Sequence, residues 1–389
     1  MTALADSVGL VETEFFTLED ALPLQSGREL GSITLAYEAY GQLNALKDNA
    51  ILLFHALTGS QHAAGFNPSV PAAQPLWVEE VHTGWWDGFI GPGRALNTDR
   101  FFVICVNYLG GCYGSTGPAS IDPHTGRPYG STFPRISISD VVDSQIALLD
   151  HLGIETLHAA IGGSVGGMMS VNLATRYPAR VKNVIPIAAG LGVTALQRIH
   201  IFEQCNAIEN DPHFAGGDYH DGPRPDRGLA LARMIGHKSF VSLKAIEERA
   251  RDEIVDRDET GGHIQIVNPI ESYMWHQGIK FVKRFDANSY LRTMELWQTV
   301  DLVAQANGTD LLSVLRRCQK QRFMVFSIDS DVCYYPDEQE ELMRALKAAE
   351  IPARRITVHS EKGHDSFLLE PSLFTPHLTD TLENNWNSP

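Results

Sequence analysis

Cysteine is scarce in this chain, and the few present are not spaced to act together. Cys105, Cys112, Cys205, Cys318 and Cys333 are odd in number and form no C-x-x-C pair. That argues against a disulfide framework and a zinc knuckle and fits a reducing compartment, so a cytoplasmic location is expected. Long apolar runs are missing too: no stretch approaches the roughly 20 residues that cross a bilayer. The N-terminus lacks a basic head followed by an apolar segment, so no leader and no membrane partner are expected. Positive charge is in short supply, with 31 Lys and Arg against 47 Asp and Glu and a formal charge of −16. Nucleic acids and anionic membrane surfaces are bound through clustered cations, so neither is expected as a partner. No His and carboxylate set has ligand spacing on a helix or hairpin, so no metal cofactor is expected. Internal repeats and low-complexity tracts are absent as well.

What is present is a large apolar complement, 43% of 389 residues, enough for a sizeable core carrying an inserted subdomain. Residues 32–40 alternate apolar and polar β-formers, as a half-exposed strand at a sheet edge would. Short apolar runs at 50–54 and 101–106 precede glycine-bearing loops. An amphipathic helix at 141–152 follows, then apolar strands at 157–163 and 181–188. From about 190 to 317 strand patterns become rare and helical ones dominate. The run 247–259 is dense in charge and reads as a solvated face. The β/α rhythm returns with a strand at 322–328, a helix at 338–348 and a short strand at 355–358. The expected architecture is an α/β fold with a mostly parallel central sheet: 1–189 and 318–389 form the core, and 190–317 form a helical insertion.

The most informative stretch is Ile161-Gly162-Gly163-Ser164-Val165-Gly166-Gly167-Met168. Gly162, Ser164 and Gly166 match G-x-S-x-G, the spacing of a nucleophile elbow, in which serine occupies a strained turn between a strand and a helix. A serine hydroxyl is a poor nucleophile at neutral pH, so it needs a histidine base and a carboxylate that orients the histidine. Ligands of open α/β sheets lie beyond the carboxyl ends of the strands. His364, after the last strand, and Asp329 or Asp331, after the strand ending at Ile328, are placed to join Ser164 there. Periodicity does not choose between the two aspartates. His237 and His276 fall in the helical insertion and read as packing residues. The oxyanion of acyl transfer needs two backbone N–H donors: Val165 follows the nucleophile, and Leu57 stands in the loop after an early strand.

The residues around these positions resemble a particular family of the α/β-hydrolase fold, the homoserine O-acyltransferases, chiefly the homoserine O-acetyltransferase type of methionine biosynthesis. The resemblance runs, in order, through His55-Ala56-Leu57-Thr58-Gly59, Gly84-Trp85-Trp86, Asn107-Tyr108-Leu109-Gly110-Gly111-Cys112, the Ser164 elbow, Arg284-Phe285-Asp286-Ala287-Asn288-Ser289-Tyr290, and Gly363-His364-Asp365-Ser366-Phe367. It implies Ser164 as nucleophile, Asp331 as acid and His364 as base. It also implies that Arg233 holds the carboxylate of an amino acid substrate and Asp365 its ammonium. The co-substrate would be acetyl-CoA, the acceptor L-homoserine, and the chain a homodimer with the helical insertion as a lid. Three places depart from the family pattern. Ser239-Phe240 replaces a threonine-tyrosine pair, and residues 241–253 also diverge, which bears on serine as a rival acceptor. Cys333 stands where acetyl-using members tend to carry leucine and succinyl-using members arginine. An esterase or thioesterase with water as acceptor, and an inert scaffold, are the rivals outside the transferases.

Overall fold

Alternating apolar strands and helices assemble as the β/α rhythm predicts. A computed structural model describes residues 6–250 and 266–384. The central sheet has eight strands: β1 (Glu14–Leu18), β2 (Ile33–Tyr40), β3 (Ala50–Phe54), β4 (Phe102–Val106), β5 (Leu157–Gly163), β6 (Val181–Ile187), β7 (Arg322–Ile328) and β8 (Ala353–Val358). Their spatial order is β1-β2-β4-β3-β5-β6-β7-β8, with β1 and β2 antiparallel to their neighbours and the remaining pairs parallel. Strands β3, β5 and β6 are buried on both faces, which is why they read as continuous apolar runs.

Residues 32–40 do not form the edge of the sheet. β2 is mostly buried and lies between β1 and β4, and β1 takes the outer position. β2 is internal because β1 pairs along one of its edges, and β4, with the loop carrying Ser115 and Thr116 whose hydroxyls accept from the backbone of Ala36 and Thr34, pairs along the other. The polar member of the alternation, Glu38, is fully buried and satisfied by His62, Tyr40, Asn67 and Thr13. Sequence cannot distinguish such a residue from a solvated one.

Helices α1 (Ile138–His151) and α2 (Val165–Arg176) link the central strands. After β6, no strand forms among the described residues until β7. The chain instead runs through α3 (Ala195–Glu209), α4 (Asp226–Phe240), α5 (Leu243–Arg249), α6 (Pro269–Val282), α7 (Ala287–Gln298), α8 (Leu302–Gln305) and α9 (Leu311–Leu315). α4 packs between α3 and α6. Gly278 lets α6 approach closely, since a Cβ there would lie 2.9 Å from the Ala230 carbonyl. α8 packs instead on α2, where Asn172 Nδ2 donates to Gln305 Oε1 at 3.0 Å. Helices α10 (Pro336–Ala348), α11 (Ser366–Leu369) and α12 (Pro371–Glu383) complete the core. The charge-dense run is described only through α5 and Ala250; its part at 251–259 lies outside the described residues.

Candidate active site

Ser164 stands where β5 stops and α2 starts. Its backbone is at φ 60°, ψ −129°, a conformation that costs a non-glycine residue on the order of 1–3 kcal/mol and persists only when neighbours enforce it. They do: Ser164 N–H donates to Ile187 O at 2.9 Å, and Ser164 O accepts from Gly167 N at 2.9 Å and Met168 N at 3.2 Å. The elbow glycines matter for what they lack. A Cβ on Gly162 would come within 2.3 Å of the Gly166 backbone, and one on Gly166 within 2.5 Å of Phe54 O. Without them the first turn of α2 rests directly on the end of β3. The amides of Leu57 and Val165 then flank the turn with no hydrogen-bond acceptor among the described residues. That leaves two donors available to a developing oxyanion.

The two aspartates after β7 part company in space. Asp331 is buried. Its Oδ1 accepts from Cys333 N at 2.7 Å and Tyr334 N at 2.9 Å, and its Oδ2 accepts from His364 Nδ1 at 2.6 Å. Asp329 faces outward, its side chain 41% exposed, and binds His359 and the Ser360 amide instead. The turn explains the difference, because the carboxylate of Asp331 caps its own loop and so points inward. With Nδ1–H committed to Asp331, His364 presents Nε2 as its free lone pair, and that atom has no partner among the described residues. Burial alone would depress the basicity of this imidazole. Asp331, helped by Asp365 and Glu338, more than offsets that, so its pKa lies above the ordinary histidine value.

These groups surround a cavity of about 230 Å³ whose lining includes Leu57, Ser164, Arg233, Phe240, Arg284, His364 and Asp365. Arg233 projects from the middle of α4, its guanidinium 5.1 Å from the Phe281 ring and 5.7 Å from the Phe240 ring. It has no ion pair or hydrogen bond among the described residues. Burial and the neighbouring Arg284 push its pKa down. The Asp365 amide donates to Phe240 O at 2.9 Å, tying the base loop to the end of α4. Its carboxyl accepts no hydrogen bond among the described residues, and burial raises its pKa while His364 and Arg233 pull it back. One cavity thus holds an unpartnered cation and an unpartnered anion beside a serine and a histidine, which suits a small zwitterion.

Tyr334 and Glu80 carry no signal in the sequence, and Arg284 enters it only within the run that carries the family resemblance. Arg284 reaches toward Thr58 O at 3.4 Å and Tyr113 Oη at 3.3 Å, with Glu80 at 3.6 Å, bracing the Leu57 loop from behind. Tyr334 stacks on His364. Glu80 enters the lining from a loop with no regular pattern. The histidines expected to be packing residues separate: His237 is buried with Nε2 at 2.9 Å from Tyr273 Oη, and burial followed by Arg233 lowers its pKa to about 3, whereas His276 is exposed on α6. Of the positions that depart from the family pattern, Phe240 lines the cavity; Ser239 and Cys333 are buried outside the lining. Among the described residues no group of three or more His, Cys, Asp or Glu could hold a metal ion, and no helix is long and apolar enough to cross a membrane.

The family model of the α/β-hydrolase fold matches residues 49–371. A homoserine O-acetyltransferase of Methanosalsum zhilinae is 41% identical over 365 residues, covering 94% of this chain and 71% of that protein. A homoserine O-succinyltransferase of Alkalilimnicola ehrlichii is 42% identical over 374 residues, covering 95% of this chain and 94% of that protein. The chain belongs to the homoserine O-acyltransferase family. Among solved structures, that of esterase E22 superposes with a TM-score of 0.84 at 27% identity, covering 96% of this chain and 100% of that one. This chain and an esterase therefore share the fold.

Proposed function

We propose that the protein transfers an acetyl group from acetyl-CoA to the γ-hydroxyl of L-homoserine through a covalent acyl-serine, as a step of methionine biosynthesis. The observation that carries this reading is the 2.6 Å Asp331–His364 pair in the same cavity as Ser164 and the unpartnered charges of Arg233 and Asp365. In the first half-reaction His364 Nε2 takes the Ser164 proton as Oγ attacks the thioester carbonyl. The Leu57 and Val165 amides stabilise the oxyanion, and the CoA thiolate leaves with the proton from His364. In the second, Arg233 receives the carboxylate of homoserine and Asp365 its ammonium. His364 then deprotonates the γ-hydroxyl, which attacks the acyl-serine, and returns the proton to the departing Ser164 Oγ, giving O-acetylhomoserine and free Ser164.

The helices between 190 and 317 act as a lid that narrows the approach and keeps water from the acyl-enzyme. The reaction uses acyl-CoA as a co-substrate and needs no resident cofactor. A cytoplasmic homodimer completes the proposal. The pocket departures leave the donor and the acceptor as the places where a relative's chemistry could differ. The deciding experiment is therefore an assay of acetyl-CoA and succinyl-CoA against L-homoserine and L-serine, with CoA release followed also in the absence of any amino acid. Acetyl transfer to homoserine is expected to dominate. Preference for succinyl-CoA or serine would reassign the substrate, and CoA release indifferent to amino acid would make the protein a thioesterase.

A further inference from the structure

The base is held by more than its carboxylate. The His364 ring lies face to face with Tyr334, centroids 5.4 Å apart and planes 20° apart. Tyr334 is stacked in turn with Trp297 of α7 at 5.6 Å and 22°. Phe367 meets the His364 ring edge-on at 5.4 Å, and Phe240 leans against it at 6.3 Å. Tyr334 is fully buried: its N–H donates to Asp331 Oδ1, and its hydroxyl lies 3.3 Å from Met168 Sδ, on α2, and within hydrogen-bonding reach of the Ser164 side chain. One residue therefore touches the acid, the base, the elbow helix and a helix of the lid region.

From this arrangement we propose that Tyr334 is a positioning residue for His364. Its ring face fixes the plane of the imidazole between Asp331 and the cavity, and it stabilises the imidazolium that forms in each half-reaction. The physical basis is twofold. An Nδ1–H···Oδ2 bond fixes one atom of the imidazole but leaves the ring free to rotate about that bond, and a stacked face removes the rotation. An aromatic face within about 6 Å of a desolvated cation also attracts it electrostatically. The charged groups acting on His364 are Asp331 from the acid loop, Asp365 from its own loop and Glu338 from α10, and the cations Arg233 of α4 and Arg284 line the same cavity. Trp297 also stacks on Tyr334, so the helical region reaches the base through stacked rings as well as through the Asp365–Phe240 backbone bond.

The inference rests on His364 being the base of an acyl-serine reaction, and the test separates the two. For Tyr334→Leu, kcat/KM of acyl-enzyme formation is expected to fall about ten- to thirtyfold, the size of a desolvated cation–π contact. The acidic limb of its pH profile should move to lower pH, because the imidazolium loses a stabilising face while the neutral ring does not. Tyr334→Phe keeps the face and should restore both rate and limb. Tyr334→Met, which refills the space with a flexible chain, serves as a second variant if the leucine form does not fold, and should shift the limb in the same direction. An unmoved limb in a folded Leu or Met variant, with any rate loss matching only its lowered Tm, overturns the inference. So does a Phe variant as impaired as the Leu form, which would assign the effect to the hydroxyl. Ser164→Ala run in parallel tests the underlying reading: if it still accumulates acyl label, the acyl-serine mechanism fails regardless of how Tyr334 behaves.

Discussion

Ser164, Asp331 and His364 follow strands closely, one, three and six residues beyond β5, β7 and β8, whereas Arg233 stands in the middle of α4. The two walls of the cavity are thus positioned by different means. Parallel strands in fixed register carry the triad to one edge of the sheet, and each loop is short and internally capped, as the Asp331 turn is. Arg233 has no such frame. Its place depends on α4 packing against α3 and α6, on Gly278 allowing that approach, and on the Phe240 and Phe281 rings beneath the guanidinium. The proposed triad is thus placed by the sheet, while the proposed acceptor clamp at Arg233 is placed by helix packing.

The largest expected effect tests the sheet side. Ser164→Ala should lower acyl transfer by several orders of magnitude and abolish labelled acyl-enzyme, because members of a triad act as a unit. Retention of label by mass spectrometry would break the comparison at its base. The pair Asp331→Asn and Asp329→Asn sharpens it. The first should cost up to about ten thousandfold in kcat through loss of the required imidazole tautomer, and the second should leave turnover near wild type. Equal losses would show that strand-end placement, rather than the inward-pointing cap, is what matters.

On the helical side, Arg233→Ala should raise KM for homoserine about ten- to a hundredfold, the scale of losing a charge-assisted carboxylate clamp, with thioester cleavage retained. An unchanged acceptor dependence would remove Arg233 from recognition. The smallest effect concerns Glu338, which joins the two walls by accepting from Gln197 Nε2 of α3. Burial raises its carboxyl pKa from 4.5 to about 7. A carboxyl raised in the folded state stabilises fully below its unfolded value, and that contribution is lost as pH rises through the folded value. Glu338→Gln should therefore gain Tm relative to wild type between pH 5 and pH 8. A difference that does not change with pH would indicate that Glu338 carries no linked proton.

Much of the sheet side was legible. The strands at 50–54 and 322–328 coincide with β3 and β7, and G-x-S-x-G marked the elbow, because apolar runs and close-approach glycines are local consequences of burial and turn geometry. β2 was misplaced at the edge because its polar residue, Glu38, is satisfied by groups from several distant segments. Tyr334 passed unnoticed for a similar reason, and Arg284 was read only as part of the run that carries the family resemblance. An arginine after Lys283 looks like a surface cation, and a tyrosine in an aspartate-bearing turn looks like ordinary packing, until the fold brings Thr58 to one and His364 to the other.

By itself, then, the sequence determined the strand and helix rhythm, the strained serine turn and a short list of bases and acids, since each depends on residues within a few positions of one another. Tertiary structure decided which aspartate meets His364, that Arg233 and Asp365 face one cavity without partners, and that Tyr334 lies across the base. These are contacts between residues far apart in the chain. They are set by how strands register and helices pack, and no local pattern encodes them.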